Sequence, residues 1–169
     1  MKLKWLVLPL LTVLVSLNHL SASTVDDTDT PRAERVVIEE NNLQTLSEEM
    51  KQNKLGLVIM FHAEYCDFCD RLEHELLQPM VRSGDYDDKV LIRKIQVDGA
   101  YDLVNFNGQQ VSSDQLSTMY DASMTPTLVF LDAEGAEQAE RILGYTTPDF
   151  FAAYVERAIN KLHKAVSAE

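Results

Sequence analysis

The chain has 169 residues, 46% hydrophobic and 25% charged. That length suits one domain and that balance suits a packed core, so a collagen-like or wholly disordered chain is excluded. Lys plus Arg number 15 against 27 Asp plus Glu, a formal charge of −12. Such acidity argues against nucleic acid and anionic membranes as partners, because phosphate contacts need clustered Lys and Arg. The two cysteines, Cys66 and Cys69, are too few for a disulfide framework of the small secreted kind. Standing three positions apart, they act as a pair.

Residues 1–23 read as a secretory signal peptide. Lys2 and Lys4 precede an apolar run over residues 5–17, and small residues follow at Ser21, Ala22 and Ser23. The run is short for a membrane span, which needs about 20 residues; an uncleaved N-terminal anchor is the other reading. Loss of this segment removes two lysines and no acid, leaving the remaining chain more acidic still. Export from a bacterium would put the cysteine pair in the oxidising periplasm. Residues 24–35 (TVDDTDTPRAER) are polar and acidic and read as a flexible lead-in. The domain proper is then 36–169.

Residues 36–38 are a short β-branched run, suited to an edge strand. Leu43, Leu46 and Met50 fall on one face of a helix over about 42–52. Residues 55–61 (LGLVIMF) form an unbroken apolar run, as in a strand buried on both faces. Next comes a helix whose stripe is Leu72, Leu76, Leu77 and Met80, with the cysteines at its start. Residues 84–88 are a turn and 90–97 the next strand. Residues 98–111 read as an ordered loop or a small hairpin insertion. A short helix over 113–120 has Leu116 and Met119 inward. Residues 127–131 (TLVFL) and 138–143 are strands joined by a turn and paired antiparallel. Thr147 is placed to cap the last helix, with Pro148 at its first position and Asp149 at its positive end. Its expected buried stripe is Phe150, Phe151, Tyr154, Val155, Ala158, Ile159 and Leu162; Tyr120, Phe130 and Phe151 read as core. The order β-α-β-α-β-α-β-β-α predicts an α/β fold with a mixed sheet.

Cys66-Asp67-Phe68-Cys69 carries the chemistry. Cysteines at this spacing on a helix start can form a reversible disulfide, and the unpaired N–H groups of the first turn favour a thiolate on the first. The thiolate is the attacking form in disulfide exchange. Cys66 is therefore the candidate nucleophile and Cys69 the resolving thiol. Half of a zinc site, a metal site adding His62 or His74, and a static structural disulfide are the competing readings; the chain lacks a second CxxC, and a disulfide closing so short a loop adds little stability. No metal ligand is assigned. Glu64, Asp67 and Asp70 crowd Cys66 with negative charge, which opposes the helix dipole. A less stabilised reduced form means a lower reduction potential, so a reductant or balanced exchanger is expected, not a strong oxidant. Pro126 opens the TLVFL strand, where its missing N–H loses no ladder bond; trans and cis forms both fit there. Phe68 with Tyr101 and Phe106 could make an apolar rim, or the two loop aromatics could pack beneath their own loop.

Taken together, FHAEYCDFC, RKIQVD, TPTLVFLDAEG, and ILGY ahead of a final helix resemble the thioredoxin family over residues 55–162. The stretch NFNGQQVSSDQLSTMYDAS and the ending GYTTPDF resemble its periplasmic SoxW-type, thioredoxin-2-like subgroup. The resemblance implies a thioredoxin fold, a central mixed sheet flanked by helices with a short insertion before the third helix. It implies a thiol–disulfide oxidoreductase with Cys66 exposed and Cys69 shielded. It implies a cis Thr125–Pro126 bond against the disulfide, and a Thr125 backbone that pairs with an extended substrate segment. Tyr65, where the family usually has tryptophan, and Phe68 join Thr125 and Pro126 as substrate contacts. Protein disulfides would be the substrates and a membrane thiol donor of the DsbD or CcdA kind would return electrons. The protein would act as a monomer, with no cofactor beyond the Cys66–Cys69 pair. Thioredoxins also carry a buried Asp six residues before the first cysteine; here that residue is Met60. Lys94 matches the family's buried lysine, and Glu64 or a water is the expected stand-in for its lost partner. A metal-handling or cofactor-assembly protein and a redox-inactive binding module are the alternatives on the same fold.

Overall fold

The computed structural model describes residues 35–99 and 101–168. The signal segment at 1–23 and the lead-in up to residue 34 lie outside the described residues. Arg35, assigned to that lead-in by sequence, is tied to the domain: its guanidinium pairs with Asp87, and its carbonyl accepts from Gln78 Nε2 at 2.6 Å.

The chain order is β1 (Ile38–Glu39), α1 (Leu43–Asn53), β2 (Gly56–His62), α2 (Asp67–Leu72), a π-helical turn (Glu73–Leu77), α3 (Gln78–Ser83) and β3 (Val90–Gln96). A hairpin of β4 (Asp102–Val104) and β5 (Gln110–Ser112) follows, then α4 (Ser113–Met119), β6 (Thr127–Leu131), β7 (Glu137–Leu143) and α5 (Pro148–Val166). The main sheet runs β1-β3-β2-β6-β7. β3 is parallel to both β1 and β2, while β6 is antiparallel to β2 and to β7. This is the expected α/β fold with a mixed sheet, and residues 98–111 supply the small hairpin.

β2 is central because its side chains are apolar on both faces. Val58 and Met60 enter one core with Leu72, Leu77 and Met80 from the cysteine-bearing helical run and with Phe151, Val155, Ile159 and Leu162 of α5. Leu57, Ile59 and Phe61 enter the other core with Leu43, Leu46 and Met50 of α1, Leu116 of α4 and Leu103 of the hairpin. Alternation along a strand sends neighbours to opposite faces, so one seven-residue strand seeds both layers. Gly56 opens it without a side chain because α5 crosses there; a Cβ would collide with Leu162.

Local chemistry sets the boundaries. Asn42 Oδ1 accepts from Thr45 N–H at 3.0 Å and starts α1. Gly84, at φ 75°, ends α3 in the left-handed conformation. Thr147 does precede α5, but it sits at φ 48° and its side chain makes no capping bond. Three residues expected to face inward are exposed: Met119, Phe150 and Tyr154. The buried stripe of α4 is instead Ser113, Leu116 and Ser117, continued by Tyr120, and that of α5 is Phe151, Val155, Ala158, Ile159, Leu162 and Val166. Val36, placed in the first strand by sequence, precedes it and is exposed, whereas Val37 is buried.

Candidate functional site

β2 ends at His62, and a tight turn delivers Cys66 to the N-cap of α2. Cys66 O accepts from the amides of Cys69 (2.9 Å) and Asp70 (3.1 Å), and Cys66 Sγ accepts from Cys69 N–H at 3.2 Å. The two sulfurs are bonded, with Cα atoms 5.2 Å apart. Cys66 is partly exposed, whereas Cys69 is 1% exposed. The asymmetry follows from the helix: Cys66 caps its open end, and Cys69 is one turn in, on the face that carries Leu72. Tyr65 (92% exposed) and Phe68 (56%) flank the pair in solvent.

The Thr125–Pro126 turn reaches the same place by sheet register. Phe61 of β2 pairs with Thr127 of β6, so the turn before β6 lies at the end of the sheet where β2 leaves for the cysteines. The Thr125–Pro126 peptide bond is cis. The turn is pinned on both sides: Thr127 Oγ1 donates to Met124 O at 2.6 Å, and Gly144 N–H donates to Pro126 O at 2.7 Å. Pro126 is buried, Thr125 half-buried, and Met124 is 57% exposed.

Behind the disulfide, charged groups are paired. Lys94 Nζ lies 2.7 Å from Glu73 Oε2. The carboxylate beside Lys94 is therefore Glu73 of the π-helical turn, not Glu64. Glu64 is exposed, and its amide donates to Asp98 Oδ1 and Oδ2, both at 3.1 Å. That contact fixes the turn before Cys66 to the loop after β3. The Asp98 carboxyl is held below its ordinary range by the Gln96 side-chain amide and by the Glu64 backbone.

A second network stands at the same strand ends. Glu39 Oε2 lies 2.8 Å from His62 Nε2, and Glu39 Oε1 accepts from Gln96 N–H (2.6 Å) and the Tyr101 hydroxyl (2.9 Å). Burial pushes the Glu39 carboxyl up, but the bonds and charge of His62, with Tyr101 and Gln96, outweigh it and leave the group depressed. Burial, then the Glu39 charge and hydrogen bond, push the Tyr101 hydroxyl well above its ordinary range. Tyr101 is thus a bonding partner of Glu39. Phe106 packs into the second core, where it would meet any side chain placed at Gly135. Both loop aromatics pack against that core, which is the second of the two arrangements the sequence allowed, rather than an apolar rim with Phe68. Nothing local in the sequence marks Glu73 or Glu39, since their partners lie 21 and 23 residues away. Among the described residues, no three His, Cys, Asp or Glu side chains gather in a metal-binding cluster.

Residues 43–159 match the thioredoxin-like domain family. No curated protein matches the chain. Solved structures similar to it include the thioredoxin of Fasciola hepatica, 17% identical with a TM-score of 0.51, covering 74% of this chain and 98% of that one. Oxidised mitochondrial thioredoxin 3 of Saccharomyces cerevisiae is 22% identical with a TM-score of 0.50, covering 73% of this chain and 93% of that one. The thioredoxin of Malassezia sympodialis is 18% identical with a TM-score of 0.50, covering 76% and 94%. At these identities the likeness speaks for the fold. A family match over more than half the chain, the mixed sheet and the Cys66–Cys69 disulfide on the first turn of α2 agree, and the chain belongs to the thioredoxin-like domain family.

Proposed function

We propose that the protein is an exported thiol–disulfide oxidoreductase that reduces or exchanges disulfides in protein substrates. The observation that carries this reading is the asymmetry of the pair: a solvent-reachable Cys66 at a helix cap, bonded to a buried Cys69. In the reduced protein, the Cys66 thiolate attacks a substrate disulfide. A mixed disulfide forms and the first substrate sulfur leaves as a thiolate, taking a proton from solvent. Cys69 then attacks Cys66 Sγ, releases the second substrate thiol, and closes the Cys66–Cys69 disulfide. Two electrons pass to the substrate.

The backbone of Thr125 offers an extended substrate a short strand-like pairing beside the cysteines. Tyr65 and Phe68 supply exposed aromatic surface next to it. The sulfurs carry the electrons, so no dissociable cofactor takes part. Residues 1–23 support export to the periplasm, where a membrane thiol donor of the DsbD or CcdA kind would re-reduce the pair. The stretch over 105–123 and the GYTTPDF ending support the SoxW-type, thioredoxin-2-like subgroup, and the protein acts as a monomer.

Cys66→Ser should abolish insulin-disulfide reduction, while Cys69→Ser should accumulate mixed disulfides that non-reducing gels resolve and mass spectrometry identifies. Full reductase activity in Cys66→Ser would end this reading.

A further inference from the structure

A second surface opens beside the Thr125–Pro126 turn. Thr127 pairs with Phe61 of β2 on one side and with Leu143 of β7 on the other, and Gly144 N–H donates to Pro126 O at 2.7 Å. β7 therefore ends, and α5 begins, next to that turn. From there a groove of about 440 Å³ runs away between β7 and α5. Its near end is lined by Leu143, Thr146 and Thr147, all exposed. Its floor is apolar: Ala139, Phe151 and Ala158 are buried, and Ile142 is half-buried. Its far wall is Tyr154, Arg157 and Lys161 of α5, all exposed, with the Arg157 guanidinium 5.7 Å from the centre of the Tyr154 ring.

The charges of this wall are open. Arg35, Lys51, Arg71, Arg93, Lys94 and Arg141 each have a carboxylate partner. Arg157 and Lys161 have none among the described residues, although the chain carries 27 acids against 15 Lys and Arg. Standing four residues apart, they share a helix face, where like charges repel. Arg141 also borders the groove, but it is committed to Glu137 and to the Tyr120 carbonyl. Glu140 lines the groove as well and pairs with neither cation.

The geometry points to this groove as a docking site for the disulfide substrate itself. Its occupant is an extended acidic segment that leaves the Thr125 turn, lays an apolar side chain on the floor and brings carboxylates to Arg157 and Lys161. The inference rests on the disulfide exchange proposed above and names the class of substrate preferred. A rise of 1.5 Å per residue puts Arg157 and Lys161 roughly 14 and 20 Å along α5 from Pro148. An extended chain covers that span in roughly four to six residues. The contact is made by side chains on the helix side of β7, and the strand's outer edge takes no part. The exposed Glu64, Asp67 and Asp70 around Cys66 act in the opposite sense, since they repel an acidic peptide. A preference for one therefore has to come from the groove.

Two synthetic peptides, mixed with the reduced full chain, test this. Each carries one cysteine as a mixed disulfide with mercaptoethanol and a leucine three residues away on both sides. The fifth to eighth positions on both sides are aspartate in one peptide and serine in the other. Acid quenching and chromatography of the released peptide thiol give a second-order rate constant for each. Salt at about 0.15 M confines charge effects to about 8 Å. The aspartate peptide should react about fivefold faster than the serine peptide, the size expected of two exposed ion pairs. Arg157→Gln with Lys161→Gln should bring that ratio to about one, and Arg157→Glu with Lys161→Glu should take it below one. The ratio is internal to each variant, so a partly unfolded preparation lowers both rates and leaves it readable. A wild-type ratio of one or less needs no variant and overturns the inference, as does a ratio that these substitutions leave unchanged. A dimer in sedimentation that the paired glutamine substitutions dissolve would assign the groove to a second copy and overturn it too. Failure of the wild type to release either peptide thiol would instead overturn the proposed function.

Discussion

Glu39 shows how one carboxylate can tie three strands together. It lies on β1, accepts from β3, and meets His62 at the end of β2. Its pKa is lower in the folded chain than in the unfolded one. Its contribution is therefore complete above the unfolded carboxylate range and is lost as pH falls through the depressed folded value. Its side chain is 39% exposed, so solvent limits the effect to at most about 1 kcal/mol. Glu39→Gln should lower stability by that order at pH 7 in urea titrations, and the gap to wild type should shrink as pH falls below the ordinary carboxylate range. A gap independent of pH would show that packing, not charge, holds the residue. At this scale the sequence disclosed the sulfur pair and the Thr125–Pro126 turn, because short motifs carry them. It did not disclose Glu73, because a partner across a sheet leaves no local pattern.

Helices were legible where their inward residues are apolar. Leu43, Leu46 and Met50 marked α1 correctly. The inward face of α4 contains Ser113 and Ser117, so hydrophobicity drew the expected stripe toward Met119, which points outward. In α5 the pairs Phe150–Phe151 and Tyr154–Val155 offered two apolar neighbours for each inward place, and periodicity over 19 residues selects the second of each. Phe151 meets Tyr145 edge-on with ring centroids 4.8 Å apart. Phe151→Ala should cost about 3–5 kcal/mol, while Phe150→Ala should stay within about 0.5 kcal/mol. Equal losses in chemical denaturation would mean the helix is rotated. The π-helical turn had no readable signature, since Leu72 and Leu77 at its borders are both buried, as an uninterrupted helix would also allow.

Across the whole molecule, charge bears on redox behaviour. The chain carries −12, and Glu64, Asp67 and Asp70 are exposed around Cys66. This field disfavours a thiolate in the reduced state, so the reduction potential should lie well below the roughly −120 mV of a strong oxidant. Raising salt from about 0.01 M to about 0.15 M shortens the screening length and should move the potential upward; equilibration with a thiol redox buffer measures both. A value near that of a strong oxidant, or a downward shift with salt, would contradict the argument. The burial of β2 on both faces was legible in the apolar run at 55–61, and so was the β6–β7 pairing; the order of the strands was not. The ion pairs and hydrogen bonds that lock the strand ends were not, because their partners are 23 to 62 residues apart in the chain.

The sheet's two margins are unequal. On one side β1 contributes two residues, a stub too brief to template a foreign strand. On the other, β7 offers seven, with its outer edge unpaired by any described strand. Glu137, Glu140 and Arg141 stud that length. An incoming polypeptide would have to align its backbone beside ionised groups of both signs, which discourages cross-molecule zippering.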